Sequence, residues 1–364
     1  IARVYYKPEG AGESRVTAWQ KVDPDADFTT QFKLSSLSPG TQYLLKVEYG
    51  KVGYGATVYQ DLKILKGAFR TAPAADTVKP VTFTVVTGQR YPDRDSEGGF
   101  KIYPEMMNLD LDFFVHTGDI LYYDQLGKTR ELANWHWQRM YSMKHLVEFH
   151  NNVPSYFIKD DHDTWMNDAW PTMETHFMGD FTFDQGLEIF REQVPMGEKT
   201  YRTIRWGKDL QIWLVEGRDF RSANTMEDGP DKTIWGPEQM AWFKRTVQES
   251  DATFRVLISP TPVVGPDREN KHDNHANIGF QHEGDLLREF IASQDNMYVA
   301  CGDRQWQYVS VDAKHGVREY SSGPASDKHA GGWSNDKLMP EHRYLNVIGG
   351  FLAITVEREE GSPV

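Results

Sequence analysis

Cysteine is almost absent from this chain of 364 residues, which contains only Cys301. A single cysteine forms no internal disulfide, and it cannot build a structural zinc site, which needs several thiolate ligands together. Scarcity of cysteine is compatible with an export route. The sequence starts at Ile1 instead of methionine, which we interpret as a trimmed product without its targeting segment, and we expect a secreted or periplasmic protein.

The sequence also lacks an excess of positive charge and any long apolar run. It has 53 acidic against 40 basic residues, a formal net charge of -13, which disfavours a non-specific grip on nucleic acid or on an anionic membrane surface. No apolar stretch is long enough to cross a bilayer, so we expect no membrane span. An anionic substrate would need local positive charge, which bound metal ions could supply.

The pattern along the chain predicts two domains of unequal size. Up to residue 74, short alternating strands follow one another without a helical period. The stretch LSPGTQY at 37–43 is similar to the signature of fibronectin type III domains, in which a tyrosine fastens a corner. We predict a small β-sandwich over 1–74 and, because strand-like and helical runs then alternate, an α/β domain over 75–364.

Acidic residues stand where three of the predicted strands end. Asp119 follows FFVHT, the run DDHD at 160–163 follows PSYFIK, and Asp303 follows MYVAC. Ligands of open α/β sheets bind beyond the carboxyl ends of the strands, so these groups should converge in one crevice. One such aspartate is often only a helix cap or a turn former. Three strand ends together indicate a shared metal site, because buried like charges need a cation.

Five strings in the sequence resemble motifs of the alkaline phosphatase D (PhoD-like) metallophosphoesterase family. They are, in order, GDILY at 118–122, DDHD at 160–163, EGRDFR at 216–221, GPEQMAW at 236–242 and GDRQW at 302–306. The resemblance covers most of the chain, since that family also carries an N-terminal β-sandwich. It implies a metallophosphoesterase-like α/β/β/α sandwich as the catalytic domain, and metal-dependent hydrolysis of phosphate monoesters or diesters.

The resemblance also implies a set of metal ligands. Asp119 would bridge two metal ions, and Tyr122 would bind a ferric ion as a phenolate. Asp161 takes the place of the ligand that precedes the catalytic histidine, and Asp303 would be a further ligand. We include the neighbouring Asp160 in the candidate set. A structural alternative for Tyr122 is that its ring packs on the sheet as a strand-end aromatic.

Three basic residues are candidates for catalysis. By the resemblance, His162 would be the general acid or would clamp the transition state. Arg218 or Arg221 could bind the anionic group bidentately, which the guanidinium geometry favours. The alternatives are a structural histidine and arginines that neutralise the acidic cluster as ion pairs.

The chain departs from the family pattern at two positions. The family usually has a cysteine as iron ligand after its first core strand, whereas here VTFTVVT runs into Gly88, Gln89 and Arg90. Gln89 or Asp93 could contribute instead, and oxygen ligands favour calcium, magnesium or manganese; Arg90 is a candidate for substrate contact. Gln305 stands where the resemblance leads us to expect histidine. We keep it as a candidate ligand of a divergent or silenced site.

The loop at 266–279 contains the richest remaining polar cluster. Asp273, Asn274 and His275 follow His272 there, and loops above a rigid sheet often carry function. We treat the cluster as a substrate-contact or additional metal site, with a solvated loop as the alternative.

The expected reaction is attack by a metal-bound hydroxide on a small-molecule or carbohydrate anionic ester. We find neither a nucleophile elbow nor a reactive cysteine context, which argues against covalent catalysis. One alternative is a sulfate-ester hydrolase acting on carbohydrate, and another is a binding protein with a degenerate site. Calcium, iron, zinc, manganese and magnesium all remain candidate ions, and the oligomeric state stays open.

Overall fold

We describe residues 1–52 and 59–364 of a computed structural model. Seven helices occur in these residues: α1 (Ile102–Met107), α2 (Tyr123–Leu126), α3 (Arg130–Tyr141), α4 (Lys144–His150), α5 (Phe183–Gln193), α6 (Gly236–Glu249) and α7 (Gln281–Ala292). Short 3-10 helices lie at Pro24–Ala26, Tyr91–Asp93 and Asp327–His329. None of the helices in these ranges has the length and apolar character that crossing a membrane requires.

The strands of the same residues form three sheets and a small ribbon. They are β1 (Ala2–Pro8), β2 (Arg15–Val16), β3 (Gln42–Val52), β4 (Tyr59–Arg70), β5 (Val81–Val86), β6 (Phe113–His116), β7 (Ser155–Phe157), β8 (Arg202–Trp206), β9 (Leu210–Leu214), β10 (Phe254–Ser259), β11 (Met297–Cys301), β12 (Gln307–Val311), β13 (Arg318–Ser322), β14 (His342–Asn346), β15 (Leu352–Val356), β16 (Arg358–Glu359) and β17 (Ser362–Pro363).

The N-terminal region forms an antiparallel sheet in the order β2-β1-β3-β4. The Tyr43 hydroxyl accepts a hydrogen bond from Ser38 N at 2.9 Å, which is the kind of tyrosine contact that the sequence suggests. A second sandwich layer is not formed by the described part of this region. Phe28 and Ser36 have left-handed φ values of 55° and 56°, which extended strands do not tolerate. Residues 53–58 of the predicted sandwich lie outside the described residues.

Two facing sheets make up the body of the larger region. One has the order β15-β5-β6-β7 and the other the order β14-β12-β13-β11-β10-β9-β8. Strands β5, β6 and β7 are mutually parallel, and so are β9, β10, β11 and β13. Apolar side chains fill the space between the sheets, where Phe113 stacks on Phe83 with ring centroids 4.5 Å apart and on Trp206 at 4.6 Å.

Helices cover the outer faces of both sheets. The core on the smaller sheet combines Phe114 with side chains of α1, α3, α4 and α5, and the core on the larger sheet combines Trp213 and Val299 with side chains of α6 and α7. The predicted α/β/β/α arrangement is therefore present. Helices α3 and α4 are separate because Met143 between them has an extended backbone with ψ 136°.

The two sheets meet where their parallel strands end. A β-bridge joins Thr87, just after β5, to Pro324, just after β13. Asp303, just after β11, donates a hydrogen bond through its backbone N to the Thr87 hydroxyl at 3.1 Å. The loops that follow β5, β6, β7, β11 and β13 are consequently gathered at one edge of the molecule.

Candidate metal centre

Four aspartates from three strand ends converge at this edge. Ligand atoms of Asp119, Asp160 and Asp303 all lie within 4.8 Å of one another, and so do those of Asp119, Asp161 and His162. The four carboxylates are buried. Asp119 is common to both groups, which is the position of a ligand able to serve two ions.

The backbone is strained where two of these carboxylates are presented. Asp119 has φ 54° and Asp303 has φ 65°, a left-handed conformation that residues other than glycine adopt infrequently. Gly118, with φ 107°, precedes Asp119, and a Cβ there would lie only 2.7 Å from the backbone nitrogen of Asp160. The glycine of GDILY thus allows the loops after β6 and β7 to approach closely.

Asp163, the last residue of DDHD, ties these two loops together. Its Oδ1 accepts a hydrogen bond from Asp160 N at 2.6 Å, and its Oδ2 accepts one from Ile120 N at 3.1 Å. Burial raises the pKa of this carboxyl to about 7. Of the three aspartates in this run, Asp163 therefore supports the site, while Asp160 and Asp161 face it.

The unpaired carboxylate oxygens fit a bound cation. Among the described residues, Asp119 Oδ1 and Asp160 Oδ2 are buried without a hydrogen-bond partner. Burial raises the pKa of both groups well above the ordinary range, and nearby carboxylates add to this. Burial also raises the pKa of Asp303 to about 6. Buried carboxylate oxygens without a partner are costly, and a metal ion would supply that partner.

His162 lies beside these carboxylates and is held by an acidic partner. Its Nδ1 is 2.9 Å from Asp124 Oδ2, and its ring centroid is 4.4 Å from that of Tyr122. Burial opposes the charged imidazolium, but Asp161, Asp119 and Asp124 outweigh it and raise the pKa of His162 well above the usual value. The imidazole is therefore positioned to hold a proton.

Tyr122 reaches the same cluster from the loop after β6. Its hydroxyl oxygen lies 3.3 Å from Asp119 Oδ2 and 2.7 Å from Nε2 of His329. Sequence reasoning missed His329. His329 ends a 3-10 helix in the loop after β13, and no spacing in the sequence relates it to the aspartates.

The two candidate arginines are buried and contact protein oxygens. Arg218 donates to Asp160 Oδ1 through Nε at 2.6 Å, and its Nη1 donates to the Ala169 carbonyl at 3.2 Å. Arg221 donates through Nη2 to Asn224 Oδ1 at 2.9 Å and to the Asp273 carbonyl at 2.5 Å. Both guanidinium groups thus brace the loops behind the cluster.

Lys271 is a cation that sequence reasoning overlooked. Its Nζ lies 2.5 Å from Asp168 Oδ1 and 3.9 Å from Asp273 Oδ2, with 13% of the side chain exposed. Burial opposes its charge, but Asp273, Asp303 and Asp168 outweigh it and raise the pKa of the ammonium group. Because Lys271 precedes His272 in the loop at 266–279, the polar cluster predicted there was the available signal.

The two glutamines differ in their surroundings. Gln89 accepts a hydrogen bond from the Tyr103 hydroxyl at 2.6 Å and donates to the Tyr141 hydroxyl at 3.4 Å, so its amide is used by the helical layer. Gln305 points its Nε2 at Asp119 Oδ2, 3.5 Å away. Gln305 therefore lies at the cluster, as its place in the sequence suggests, but presents a donor to it.

The remaining substrate candidates serve other contacts. Arg90 pairs with Asp93 at 3.0 Å. Asn274 donates to Asp267 Oδ2 at 2.7 Å, and Nε2 of His275 lies 3.7 Å from Glu283 Oε2. Asp273, Asn274 and His275 are buried. The alternative of a solvated loop is therefore wrong for these three residues, which are buried in the loop that contains Lys271.

Comparisons with known proteins identify the family and the fold. The model of a family described as PhoD-like phosphatase matches residues 83–322, and no curated protein matches the chain. The solved structure of PhoD is similar with a TM-score of 0.79 at 16% identity, over 98% of this chain and 77% of that one. Purple acid phosphatase PPD1 from yellow lupin (Lupinus luteus) seeds gives 0.67 at 11%, over 97% of this chain and 64% of the other. The predicted metallophosphoesterase-like fold is confirmed.

Proposed function

We propose, from the premise that this chain belongs to the PhoD-like phosphatase family and is a metal-dependent phosphoester hydrolase, that it works with two ions sharing Asp119. The observation that carries the proposal is that Asp119 belongs to both groups of converging ligand atoms. Asp160 and Asp303 would complete one site. Asp161 and Tyr122 would complete the other.

Bound ions of this kind polarise phosphoryl oxygens and lower the pKa of a bound water. His162 then acts as the proton donor to the leaving group. Asp124 holds its Nδ1 at 2.9 Å, which leaves Nε2 as the atom that carries the transferable proton. The carboxylate of Asp124 beside Nδ1 supports this role, since it favours the charged imidazolium and a general acid must be protonated before the bond breaks.

Lys271 is the residue that we assign to binding the anionic group of the substrate. The guanidinium groups of Arg218 and Arg221 are buried in contacts with protein oxygens, whereas 13% of the Lys271 side chain is exposed. An ammonium group is a compact point charge on a flexible stem. Lys271 can therefore leave Asp168 for a phosphoryl oxygen without removing the support of the cluster.

The finer assignments follow from the donor set. Carboxylate oxygens predominate, which favours calcium, magnesium or manganese in the site of Asp119, Asp160 and Asp303. The substrate is a small-molecule anionic ester, for which a carbohydrate portion is one proposal. We also propose a secreted or periplasmic location, supported by the near absence of cysteine.

The test is an assay of the full chain with defined metals on phosphate monoesters, phosphate diesters and sulfated sugars, measuring released phosphate and sulfate separately. We expect phosphate release that Asp119→Asn abolishes. Sulfate release without phosphate release would favour the sulfatase alternative. Absence of both products at every metal composition, also after Gln305→His, would overturn the hydrolase proposal.

A further inference from the structure

His329 contacts the candidate metal centre and has a carboxylate behind it. It ends the 3-10 helix Asp327–His329, which follows β13. Its Nε2 lies 2.7 Å from the Tyr122 hydroxyl, and its Nδ1 lies 3.1 Å from Asp93 Oδ2. Only 13% of the side chain is exposed.

Asp93 fixes the orientation of this imidazole. An ionised carboxylate can only accept hydrogen bonds, so Nδ1 carries the proton in the neutral ring and the Nε2 lone pair faces Tyr122. Metal-ligating histidines almost always have such a partner, which fixes the tautomer and raises the basicity of the ligating nitrogen. The Asp93 and His329 pair has this arrangement at the edge of the carboxylate cluster.

The backbone holds His329 in place from two sides. Ala325 N donates to the Gly88 carbonyl at 2.9 Å, and the Ser326 hydroxyl donates to the Asp93 carbonyl at 2.8 Å. A Cβ on Gly88 would lie 3.4 Å from Cδ2 and 3.7 Å from Nε2 of His329. The imidazole therefore packs beside Gly88, where a side chain on residue 88 would contact it.

We infer that His329 is a nitrogen ligand of the ion bound by Asp119 and Tyr122. The inference rests on the proposed function and adds a ligand to that site. Neither Gln89 nor Gln305 offers a lone pair to this ion, because Gln89 is hydrogen-bonded to two tyrosines and Gln305 presents its amide nitrogen. Imidazole nitrogen suits zinc, iron or nickel better than calcium or magnesium, so this ion is a transition metal.

The test is a titration of the metal-free full chain with cobalt(II), followed by visible absorption and by competition with a chelator. Loss of a partner outside the metal's own ligands costs about 10–100-fold in affinity. We expect Asp93→Asn to fall in that range and His329→Ala to exceed it, with a changed cobalt spectrum. His176→Ala, at an exposed histidine, is the matched control and should leave affinity and spectrum unchanged.

A double variant separates a ligand from a residue that only positions Tyr122. If His329 acts only through Tyr122, the double variant with Tyr122→Phe and His329→Ala will have the same cobalt affinity as Tyr122→Phe alone. We expect the double variant to bind more weakly than either single one. Equal affinity of the double variant and Tyr122→Phe, or an unchanged spectrum in His329→Ala, would overturn the assignment. A wild-type chain that binds no cobalt would instead contradict the proposed function itself.

Discussion

The aspartates of this centre differ in pKa because their neighbours differ. Burial and adjacent carboxylates raise the pKa of Asp119 and Asp160. Burial also opposes the charge of Asp161, but Arg218 and His162 outweigh it and lower its pKa. Asp161 is consequently ionised without a metal, whereas Asp119 and Asp160 hold their protons more readily.

Lys271 provides the prediction at the scale of a single residue. Lys271→Gln removes the ammonium group and one charge-assisted hydrogen bond to the substrate, worth about 1.5–3 kcal/mol, or roughly 10–100-fold. We expect kcat/KM for a phosphate ester to fall by that factor and inhibition by vanadate to weaken in parallel, measured by steady-state kinetics.

The control for this change is Lys314→Gln, at an exposed lysine. It should retain the kinetics of the wild type. If Lys271→Gln keeps both its kcat/KM and its vanadate affinity, the substrate's anionic group must be bound elsewhere.

At the scale of elements, the site depends on how strand ends are tied to one another. Asp163 accepts from Asp160 N and Ile120 N, which belong to the loops after β7 and β6. Asp163→Ala would leave two buried backbone donors unsatisfied, at about 1–3 kcal/mol each. We expect the free energy of unfolding to fall by about 2–5 kcal/mol in urea denaturation.

Asp180→Ala, at an exposed position, should change the free energy of unfolding by less than about 0.5 kcal/mol. An Asp163→Ala protein as stable as this control would show that the tie between the two loops is unimportant.

The elements also show what the sequence could and could not predict. The hairpin of β8 and β9 and the helix α6 match their periodicity, because local pattern and burial agree there. The second layer of the N-terminal sandwich does not emerge among the described residues, since local turns at 28–36 override the alternating pattern. That region instead contacts the larger one, where Gln31 donates to the Arg191 carbonyl at 2.8 Å.

The centre was predictable as far as its ligands follow strand ends. Asp119 and Asp303 stand directly after glycines at such ends, so their convergence follows from sheet topology. Lys271 and His329 come from longer loops, and no spacing relates them to the aspartates. The roles of Arg218 and Arg221 were equally hidden, because burial by side chains distant in the sequence decides whether a guanidinium is free.

At the scale of the whole molecule, metal binding is coupled to pH and stability. Without metal, Asp303 has a pKa raised to about 6 and His162 a pKa above its usual value. The folded chain then holds more protons than the unfolded chain, so these groups favour folding at low pH and lose that contribution as the pH rises through their folded pKa values. A metal ion bound by Asp119, Asp160 and Asp303 replaces the protons of those carboxyls, whereas His162 keeps its proton.

We therefore expect the gain in Tm on adding metal to increase from about pH 6 to about pH 8. Differential scanning calorimetry of the metal-free and metal-loaded chain at each pH gives this gain. Taking the difference between the two Tm values at one pH cancels the contribution of groups that titrate elsewhere in the molecule. An Asp303→Asn chain should show a smaller rise. A gain that stays constant or shrinks with pH would contradict proton displacement by the metal.

The central claim is that one aspartate, Asp119, is shared by two ions. The direct measurement is elemental analysis of metal per chain for the wild type, Asp119→Asn and the exposed-site control Asp180→Asn after equilibration with the same metals. The account predicts about two ions in the wild type and in the control, and loss of both in Asp119→Asn. Metal content unchanged by Asp119→Asn would contradict it.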